Sequence, residues 1–417
     1  MRFCTTKMVV ILLVLIYSGR IKAQTSLEGE IRPRFELRDG FKMLRDSVSL
    51  PAVLITQRSR IILNYSKNNV RVKLSFQDVR VWGDEKLKTD VPSTAMHEGW
   101  LELPLIDSLN IRAGRQEIYY DNQRIMSNSN WLQTGASHDA LVLRYHKKGI
   151  AIDIGSAFNQ LSDATIFGTD YSQGQGNYKA LNYIWVTKKT NLLNISGFFI
   201  ADAFQLSKDT MHTRFTEGTI LLFNKNQLSF DARIFYQGGK TITGQGIQAM
   251  YLNADLAYKF QQSSPSMGFE YFSGNNNSKL SDSHYHAFNY LYGTGQKFNG
   301  HMGYFLRPES TRLAGLLDIY LSLKKSFTDK FSCIIDYHYF TLPNDYKNPQ
   351  NQQFVKRYLA IETDISSKYD ISKEVQLQGG YSFLKASQSM EIMQGRGDSK
   401  KLDHWFYIML TVKPTFY

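Results

Sequence analysis

Residues 27–38 read LEGEIRPRFELR and alternate strictly in polarity. Its odd positions are apolar or neutral, and its even positions are all charged: Glu28, Glu30, Arg32, Arg34, Glu36 and Arg38. A period of two residues predicts a β-strand with two unlike faces. A soluble sheet would turn the charged face to water. A membrane barrel would turn the apolar face to lipid and the charged face to its lumen.

The first 23 of the 417 residues have the pattern of a secretory signal peptide. Arg2 and Lys7 precede an apolar run at 8–17, and Ala23 is a small residue at the expected cleavage site. This run is too short to span a bilayer as a helix, and a short buried helix is the alternative. We therefore predict a signal peptide at 1–23 and one mature domain at 24–417, in which Cys333 has no intrachain partner.

The charge balance favours anionic partners without naming them. The segment 1–23 holds four basic and no acidic residues, so its removal lowers the formal net charge from +12 to +8. After residue 23 no apolar stretch approaches the length of a spanning helix. If the mature chain lies in a membrane, it must do so as a closed barrel.

The alternation of the opening stretch recurs along the chain. At 249–260, AMYLNADLAYKF places Met250, Leu252, Ala254, Leu256, Tyr258 and Phe260 on one face. Similar segments lie at 70–77, 227–237, 314–324, 330–340 and 374–384. Many alternating segments of about ten residues are the signature of outer-membrane barrels.

The connections between these segments predict the topology. Eight are short and rich in turn residues: 67–69, 106–108, 147–149, 188–191, 224–226, 261–265, 327–329 and 367–373. Nine are longer: 39–52, 83–98, 118–138, 158–178, 203–214, 238–246, 273–313, 341–353 and 387–402. Short and long connections alternate, which predicts an all-β, transmembrane, antiparallel up-and-down barrel of about 18 strands with both termini on the short-turn, periplasmic side.

The C-terminus is consistent with a barrel of the Gram-negative outer membrane. Residues 403–417 alternate and end in aromatic residues, as expected of a strand read by the barrel-assembly machinery. Trp82, Trp100, Trp185 and Trp405 lie near predicted strand ends, where interfacial aromatic girdles occur. A secreted soluble β-protein is the competing architecture, but it would not require alternating loop lengths.

The polar face of the strands predicts the lining of the lumen. A barrel of this size leaves an aqueous channel unless it is plugged. Basic residues cluster on the first third of this face, and guanidinium groups bind carboxylate or phosphate through two oxygens. The cluster predicts an anion filter, although each arginine on its own is better explained as a paired structural charge. The basic lumen positions are Arg32, Arg34, Arg58, Arg60, Arg71, Lys73, Arg112, Arg144 and Arg233.

The loop 118–138 is polar and carries an embedded aromatic residue, Trp131. A polar loop tolerates a wet pore, and a tryptophan needs a packing partner. We therefore expect this loop to fold into the lumen and narrow it, with Arg115 and Arg124 meeting lumen acids. The alternative is an exposed mobile loop.

Three stretches resemble the alginate export family of outer-membrane barrels. They are GRQEIYYDNQRI…NWLQTGASHDALVLRY within 111–145, QDVRVWGD at 77–84, and 272–305 with its Leu-Tyr-Gly-Thr turn at 291–294. The resemblance implies an eighteen-stranded barrel with an Arg-rich lumen that passes an anionic polysaccharide. The matching positions of the first stretch are Arg112, Arg115, Arg124, Trp131, His138, Asp139 and Arg144.

The expected function is a porin for anionic or polysaccharide-type solutes. The alternatives are a surface-anchored ligand-binding barrel and a hydrolase sited at the barrel rim. His138 and Asp139 are adjacent and would face opposite sides of a strand, which is poor geometry for a base and its orienting carboxylate. We expect no enzyme activity, cofactor, metal site or nucleic-acid partner, and we expect lipid, anionic saccharides or small anions, and the assembly machinery as partners.

Overall fold

The computed structural model describes residues 24–88, 93–160, 177–278 and 283–417. The predicted signal peptide at 1–23 and most of the connection 158–178 lie outside the described residues. Eighteen antiparallel strands form one sheet that closes on itself, because the last strand of the sheet pairs with the first. The predicted all-β barrel is confirmed.

Each strand pairs with its neighbours in the chain. The barrel strands are β1 (Gln24–Asp39), β2 (Ala52–Lys67), β3 (Val70–Val81), β4 (Thr94–Ile106), β5 (Leu109–Gln116), β6 (His138–Lys147), β7 (Ile150–Phe158), β8 (Ala180–Lys189), β9 (Leu193–Ser207), β10 (Thr210–Lys225), β11 (Leu228–Gly239), β12 (Ala249–Tyr258), β13 (Ser263–Phe272), β14 (Leu316–Ser326), β15 (Phe331–Thr341), β18 (Tyr358–Asp370), β19 (Val375–Ala386) and β20 (Leu402–Val412). The intervening β16 (Tyr346–Lys347) and β17 (Phe354–Val355) form a small separate hairpin.

Two short helical elements lie in the loops. A single 3-10 turn spans Pro308–Thr311, and helix α1 spans Gln388–Gln394. The Ser387 side chain caps α1 by accepting a hydrogen bond from the Met390 backbone N–H. In the described part of the chain, no helix has the length and apolar character needed to cross a membrane.

The strand β1 shows which face of the barrel is charged. Glu30, Arg32, Arg34 and Glu36 are buried inside, whereas Ile31 between them is 52% exposed on the outer surface. The charged face of the opening stretch therefore points into the barrel, as a membrane barrel requires.

The closing seam extends beyond β20. The Leu27 N–H donates to the Tyr417 carbonyl at 3.0 Å, and the Phe416 N–H donates to the Leu27 carbonyl at 2.8 Å. The aromatic C-terminus thus continues the pairing with β1. Because the strand number is even, Gln24 and Val412 lie at the rim that carries the eight short turns.

One predicted long connection is wrong. The segment 203–214 is mostly strand: β9 and β10 extend until Ser207 pairs with Thr210, leaving a two-residue turn. Asp202 of β9 and Arg214 of β10 face each other and form a buried ion pair, so polar residues that suggested a loop are inward-facing strand residues. The other eight predicted long connections remain between strands.

Three tryptophans predicted at the membrane interface lie inside the barrel instead. The Trp100 indole N–H donates to the buried Glu98, and the Arg112 guanidinium lies 3.9 Å from the Trp100 ring centroid. Trp185 and Trp405 are buried, and their indole N–H groups donate to Asp121 and Glu36. Trp405 alternates with the outward residue Phe406, so the strand phase that places Phe406 against lipid must turn Trp405 inward.

Candidate functional site: the lumen and its inward loops

The connection 117–137, here called the first inward loop, crosses the lumen. Near its start, Asp121 accepts hydrogen bonds from the Trp185 indole at 3.0 Å and the Ser196 hydroxyl at 2.9 Å, on β8 and β9. Near its end, the Gln77 amide of β3 donates to the Thr134 carbonyl at 2.9 Å. These contacts lie on well-separated sectors of the wall, so the predicted inward fold of this loop is confirmed.

Arginines of β1 and β2 hold the far end of this loop. Arg32 donates to the carbonyls of Asn130 and Leu132 at 2.8 and 2.9 Å, and Arg34 donates to the Trp131 carbonyl at 2.9 Å. Arg32 and Arg58 are directly opposite each other in the ladder, an arrangement that repels on its own. The loop carbonyls and the carboxylate of Glu30, which pairs with Arg58, offset this repulsion.

Trp131 packs against aromatic residues of the inner wall, as predicted for a tryptophan in an inward loop. Its ring meets Trp405 and Tyr407 edge-on, with centroid distances of 5.9 and 5.0 Å. The Arg34 guanidinium lies 4.6 Å from the Trp131 ring centroid, within the range of a cation–π contact.

The connection 273–315, here called the second inward loop, also enters the lumen. The Met302 N–H donates to the Glu362 carboxylate at 2.7 Å, and the His301 N–H donates to Asp364 at 3.1 Å. At the opposite wall, the Tyr292 hydroxyl donates to Asp202 at 2.8 Å. This loop therefore bridges β9 and β18.

Arg124 joins the two inward loops to the inner wall at β13. Its guanidinium pairs with Glu270 of β13 at 2.7 Å and donates to the Asn299 side chain at 2.6 Å and to the Thr294 carbonyl at 2.9 Å. Arg124 is fully buried. The prediction that Arg124 meets a lumen acid is confirmed.

The Leu-Tyr-Gly-Thr motif at 291–294 lies where the loops meet. The Thr294 N–H donates to the Gln123 carbonyl and the Ser127 N–H donates to the Tyr292 carbonyl, both at 3.1 Å. A Cβ at Gly293 would overlap the backbone carbonyl of Arg124. Only glycine allows this close approach of the two backbones.

Burial dominates the electrostatics where the first inward loop meets β8 and β9. It raises the pKa of the Asp121 carboxyl, although the hydrogen bonds from Ser196 and Trp185 act in the opposite direction. Burial likewise raises the pKa of the nearby Tyr120 hydroxyl well above its usual value, and this hydroxyl donates to Asp153 of β7 at 2.9 Å.

A second group of basic residues lies near the short-turn rim. The guanidinium groups of Arg71, Arg112 and Arg144 all pair with one carboxylate, Glu102, the latter two at 2.7 and 3.1 Å. Their strands begin or end at the turns 68–69, 107–108 and 148–149. We call these three arginines the mouth cluster.

In the mouth cluster the basic side chains are partly exposed, whereas the acidic side chains that pair with them are buried. The side chains of Arg71, Arg144 and Arg112 are 48%, 22% and 15% exposed, whereas Glu102 has no exposed surface. The other two carboxylates of this region are also buried: Glu98 pairs with Lys73, and Asp153 pairs with Arg144 at 3.4 Å. A solute at this rim therefore meets guanidinium groups first.

The remaining predicted site residues divide between the two faces. Arg60 lies on the inner wall beside Glu117 at 3.8 Å, and Arg233 lies on the inner wall of β11, paired with Asp231. His138 also faces inward, and its Nδ1 lies 2.7 Å from the Tyr178 hydroxyl.

Arg115 and Asp139 do not belong to the lumen. They are direct ladder partners on the outer face and form an exposed pair at 3.0 Å. Asp139 follows His138 on one strand, so the two side chains must point to opposite faces. The motif placed both residues in the right segment but carried no information about the face.

The alternation pattern does not predict a compact group formed by two residues of β4 and the first residue of the first inward loop. The ligand atoms of His97, Glu98 and Glu117 lie within 4.8 Å of one another, and His97 Nε2 lies 2.8 Å from a Glu117 oxygen. The register shifts between Ser75 and Phe76 of β3, so His97 and Glu98 are both buried although they are adjacent. Lys73 and Arg60 already pair with the two carboxylates.

Residues 23–396 of the chain match the alginate export family. The chain belongs to the alginate export family. It is an outer-membrane β-barrel channel of that family, and proteins of this kind act as channels and generally not as enzymes. A search of curated proteins found no match to the chain.

Solved outer-membrane proteins of Pseudomonas aeruginosa share the fold. OpdL superposes with a TM-score of 0.64 at 13% identity, covering 94% of this chain and 99% of OpdL. OprD superposes with a TM-score of 0.61 at 12% identity, covering 94% of both chains. OpdK, solved with vanillate, superposes with a TM-score of 0.59 at 8% identity, covering 94% of this chain and 99% of OpdK.

Proposed function

We propose that this channel passes anionic or polysaccharide-type solutes and that the mouth cluster selects them. The observation that supports the proposal is the convergence of Arg71, Arg112 and Arg144 on the single buried carboxylate Glu102. With Lys73 the region holds four basic groups beside the three carboxylates Glu98, Glu102 and Asp153, which leaves an excess of one positive charge, and the three guanidinium groups are partly exposed whereas the carboxylates are buried. A cluster of exposed basic groups on the wall of a pore favours anions at short range.

The arginines beside the first inward loop support selectivity less directly. Arg58 has no exposed surface, and Arg32 and Arg34 are almost fully buried under loop carbonyls. Their donors are already used by protein acceptors, so they are not available to a passing anion. We therefore assign the selective role to the rim rather than to the whole basic wall.

The orientation is also part of the proposal. The short-turn rim carries both chain ends, and in outer-membrane barrels the short turns face the periplasm. The mouth cluster would then face the periplasm, the compartment to which the segment 1–23 would direct the chain as a signal peptide. Solutes leaving the cell would encounter these arginines first.

The test is the reversal potential of the purified channel in a planar bilayer under a salt gradient. Replacing Arg71, Arg112 and Arg144 together by glutamine is expected to lower the anion-to-cation permeability ratio severalfold, because the front layer of cations is removed. Arg115→Gln is the matched control, since Arg115 lies on the outer face and its loss leaves the lumen unchanged. An unaltered ratio in the triple variant would overturn the proposal.

A further inference from the structure

A cavity of about 300 Å³ lies beneath the inward loops, against the wall formed by β18 and β20. Its lining comes from the first inward loop, the second inward loop and the inner faces of these two strands. The mouth cluster lies on β3, β5 and β6, so the cavity is a different site. Its volume is at the lower end of the range for small-molecule sites, roughly 300–1,000 Å³.

One side of the cavity is aromatic. Trp131, Trp405 and Tyr407 line it, and Trp405 stacks on Tyr407 at a centroid distance of 4.8 Å. The rings are fixed by packing against one another and by the hydrogen bond from Trp405 to Glu36. Rigid rings of this kind offer an apolar surface at low entropic cost.

The other side of the cavity is lined by neutral polar groups. Amide and hydroxyl side chains from both loops line it, together with Ser366 of β18. Among the described residues, the hydroxyls of Ser129 and Ser366 and the side-chain oxygen of Gln296 have no protein partner. Such groups can each bind a ligand hydroxyl.

Charge is a minor part of the cavity. Its two basic residues are Lys297 and His301, and none of the residues that line it is acidic. The Lys297 amine donates to the Asn122 carbonyl at 3.3 Å, and His301 Nδ1 lies 3.9 Å from Asp364. Burial lowers the pKa of the Lys297 amine.

We propose that this cavity binds about one or two sugar rings of an oligosaccharide, recognised by ring face and hydroxyls rather than by charge. The C–H face of a pyranose is apolar and suits the aromatic side, while its hydroxyls require the donors and acceptors on the polar side. The inference rests on the proposed function for the saccharide class and adds how a saccharide is recognised, from evidence that is independent of the mouth cluster.

The test is equilibrium binding to the detergent-purified full chain, followed by tryptophan fluorescence. The probes are cellobiose as a neutral disaccharide, digalacturonate as an acidic one, and benzoate as an acid without hydroxyls. We expect the two disaccharides to bind with dissociation constants within about threefold of each other, at low and high salt alike, because screening acts only on charge. Benzoate is expected not to bind.

Two variants locate the site. Trp131→Ala removes one aromatic surface, and Ser366→Phe fills the cavity from the wall without changing any residue of the loops; each is expected to weaken cellobiose binding at least tenfold. Trp82→Phe is the control, because Trp82 is exposed at the end of β3, far from the cavity. Heat-modifiable migration on gels verifies that each variant keeps its barrel.

Four results would overturn the inference: no saccharide binding, benzoate binding as tightly as cellobiose, digalacturonate binding that salt abolishes while cellobiose fails to bind, or cellobiose binding unchanged in Ser366→Phe. None of these measurements requires conduction. Failure of this inference therefore differs from failure of the proposed function, which would appear as an unchanged reversal potential in the mouth-cluster variant.

Discussion

The arginines of the inner wall differ in what covers them. Arg58 lies beneath the first inward loop with no exposed surface, and its guanidinium bonds to Glu30 and to the Asn130 side chain. Arg71 lies at the open rim with 48% of its side chain exposed. The strand alternation predicts that both face the lumen, but no local pattern shows which one a loop will cover.

This difference predicts unequal effects on stability. Arg58→Gln breaks a buried ion pair and leaves Glu30 undercompensated, which typically costs about 3–5 kcal/mol. Arg71→Gln, the matched control, removes a half-exposed guanidinium and leaves Glu102 paired with Arg112 and Arg144, so it is expected to cost about 0–1 kcal/mol. The measurement is the midpoint temperature of the heat-induced shift in gel mobility.

The double variant Glu30→Gln with Arg58→Gln tests whether the undercompensated charge of Glu30 causes this loss of stability. It removes the uncompensated carboxylate, so part of the lost stability is expected to return. Equal midpoints for Arg58→Gln and Arg71→Gln would contradict the assigned roles.

The requirement for glycine at Gly293 comes from a contact between distant parts of the chain, which the sequence motif alone does not show. The sequence marks the Leu-Tyr-Gly-Thr turn as characteristic, but the reason for glycine is a backbone 169 positions earlier in the chain, at Arg124. The same limit explains the outward Arg115 and Asp139. Motif position identifies a segment, whereas the strand phase decides the face.

At the scale of elements, the first inward loop is the main obstruction suggested by the structure. It contacts β1, β2, β3, β8, β9 and β13, and so it spans the lumen instead of following one wall. The second inward loop packs on it through Arg124. Both loops would have to move for a wide pore to open.

Removing residues 121–136 is therefore expected to raise single-channel conductance severalfold, because the segment that crosses the lumen is gone. Planar-bilayer recording measures this directly. The control shortens the small hairpin formed by β16 and β17, which is not part of the barrel sheet. A deletion variant that keeps its heat-modifiable barrel and its original conductance would place the loop outside the conduction path.

The strands could be predicted from alternation alone because each has one lipid-facing and one lumen-facing side. The elements that could not be predicted break that rule. The bulge at His97 turns two successive residues inward, and β9 and β10 continue through a polar segment because Asp202 and Arg214 neutralise each other across the ladder. Neither feature changes the local composition of the sequence.

At the scale of the whole molecule, the two rims are built differently. Eight turns of two to four residues lie at one rim together with both chain ends. At the other rim, every connection except the turn at 208–209 has nine or more residues. Outer-membrane barrels with this asymmetry keep the short turns periplasmic and the long loops extracellular.

Cysteine labelling on intact cells tests that orientation. In a Cys333→Ser background, Asn277→Cys lies in the second inward loop and Asn191→Cys lies in the short turn between β8 and β9; both positions are exposed in the structure. We expect a membrane-impermeant maleimide to label Asn277→Cys on intact cells and Asn191→Cys only after the outer membrane is opened. The second treatment is the control, because it shows that the short-turn cysteine is reactive. Labelling of Asn191→Cys on intact cells would reverse the orientation, place the mouth cluster at the cell surface, and require its arginines to act on solutes entering the cell.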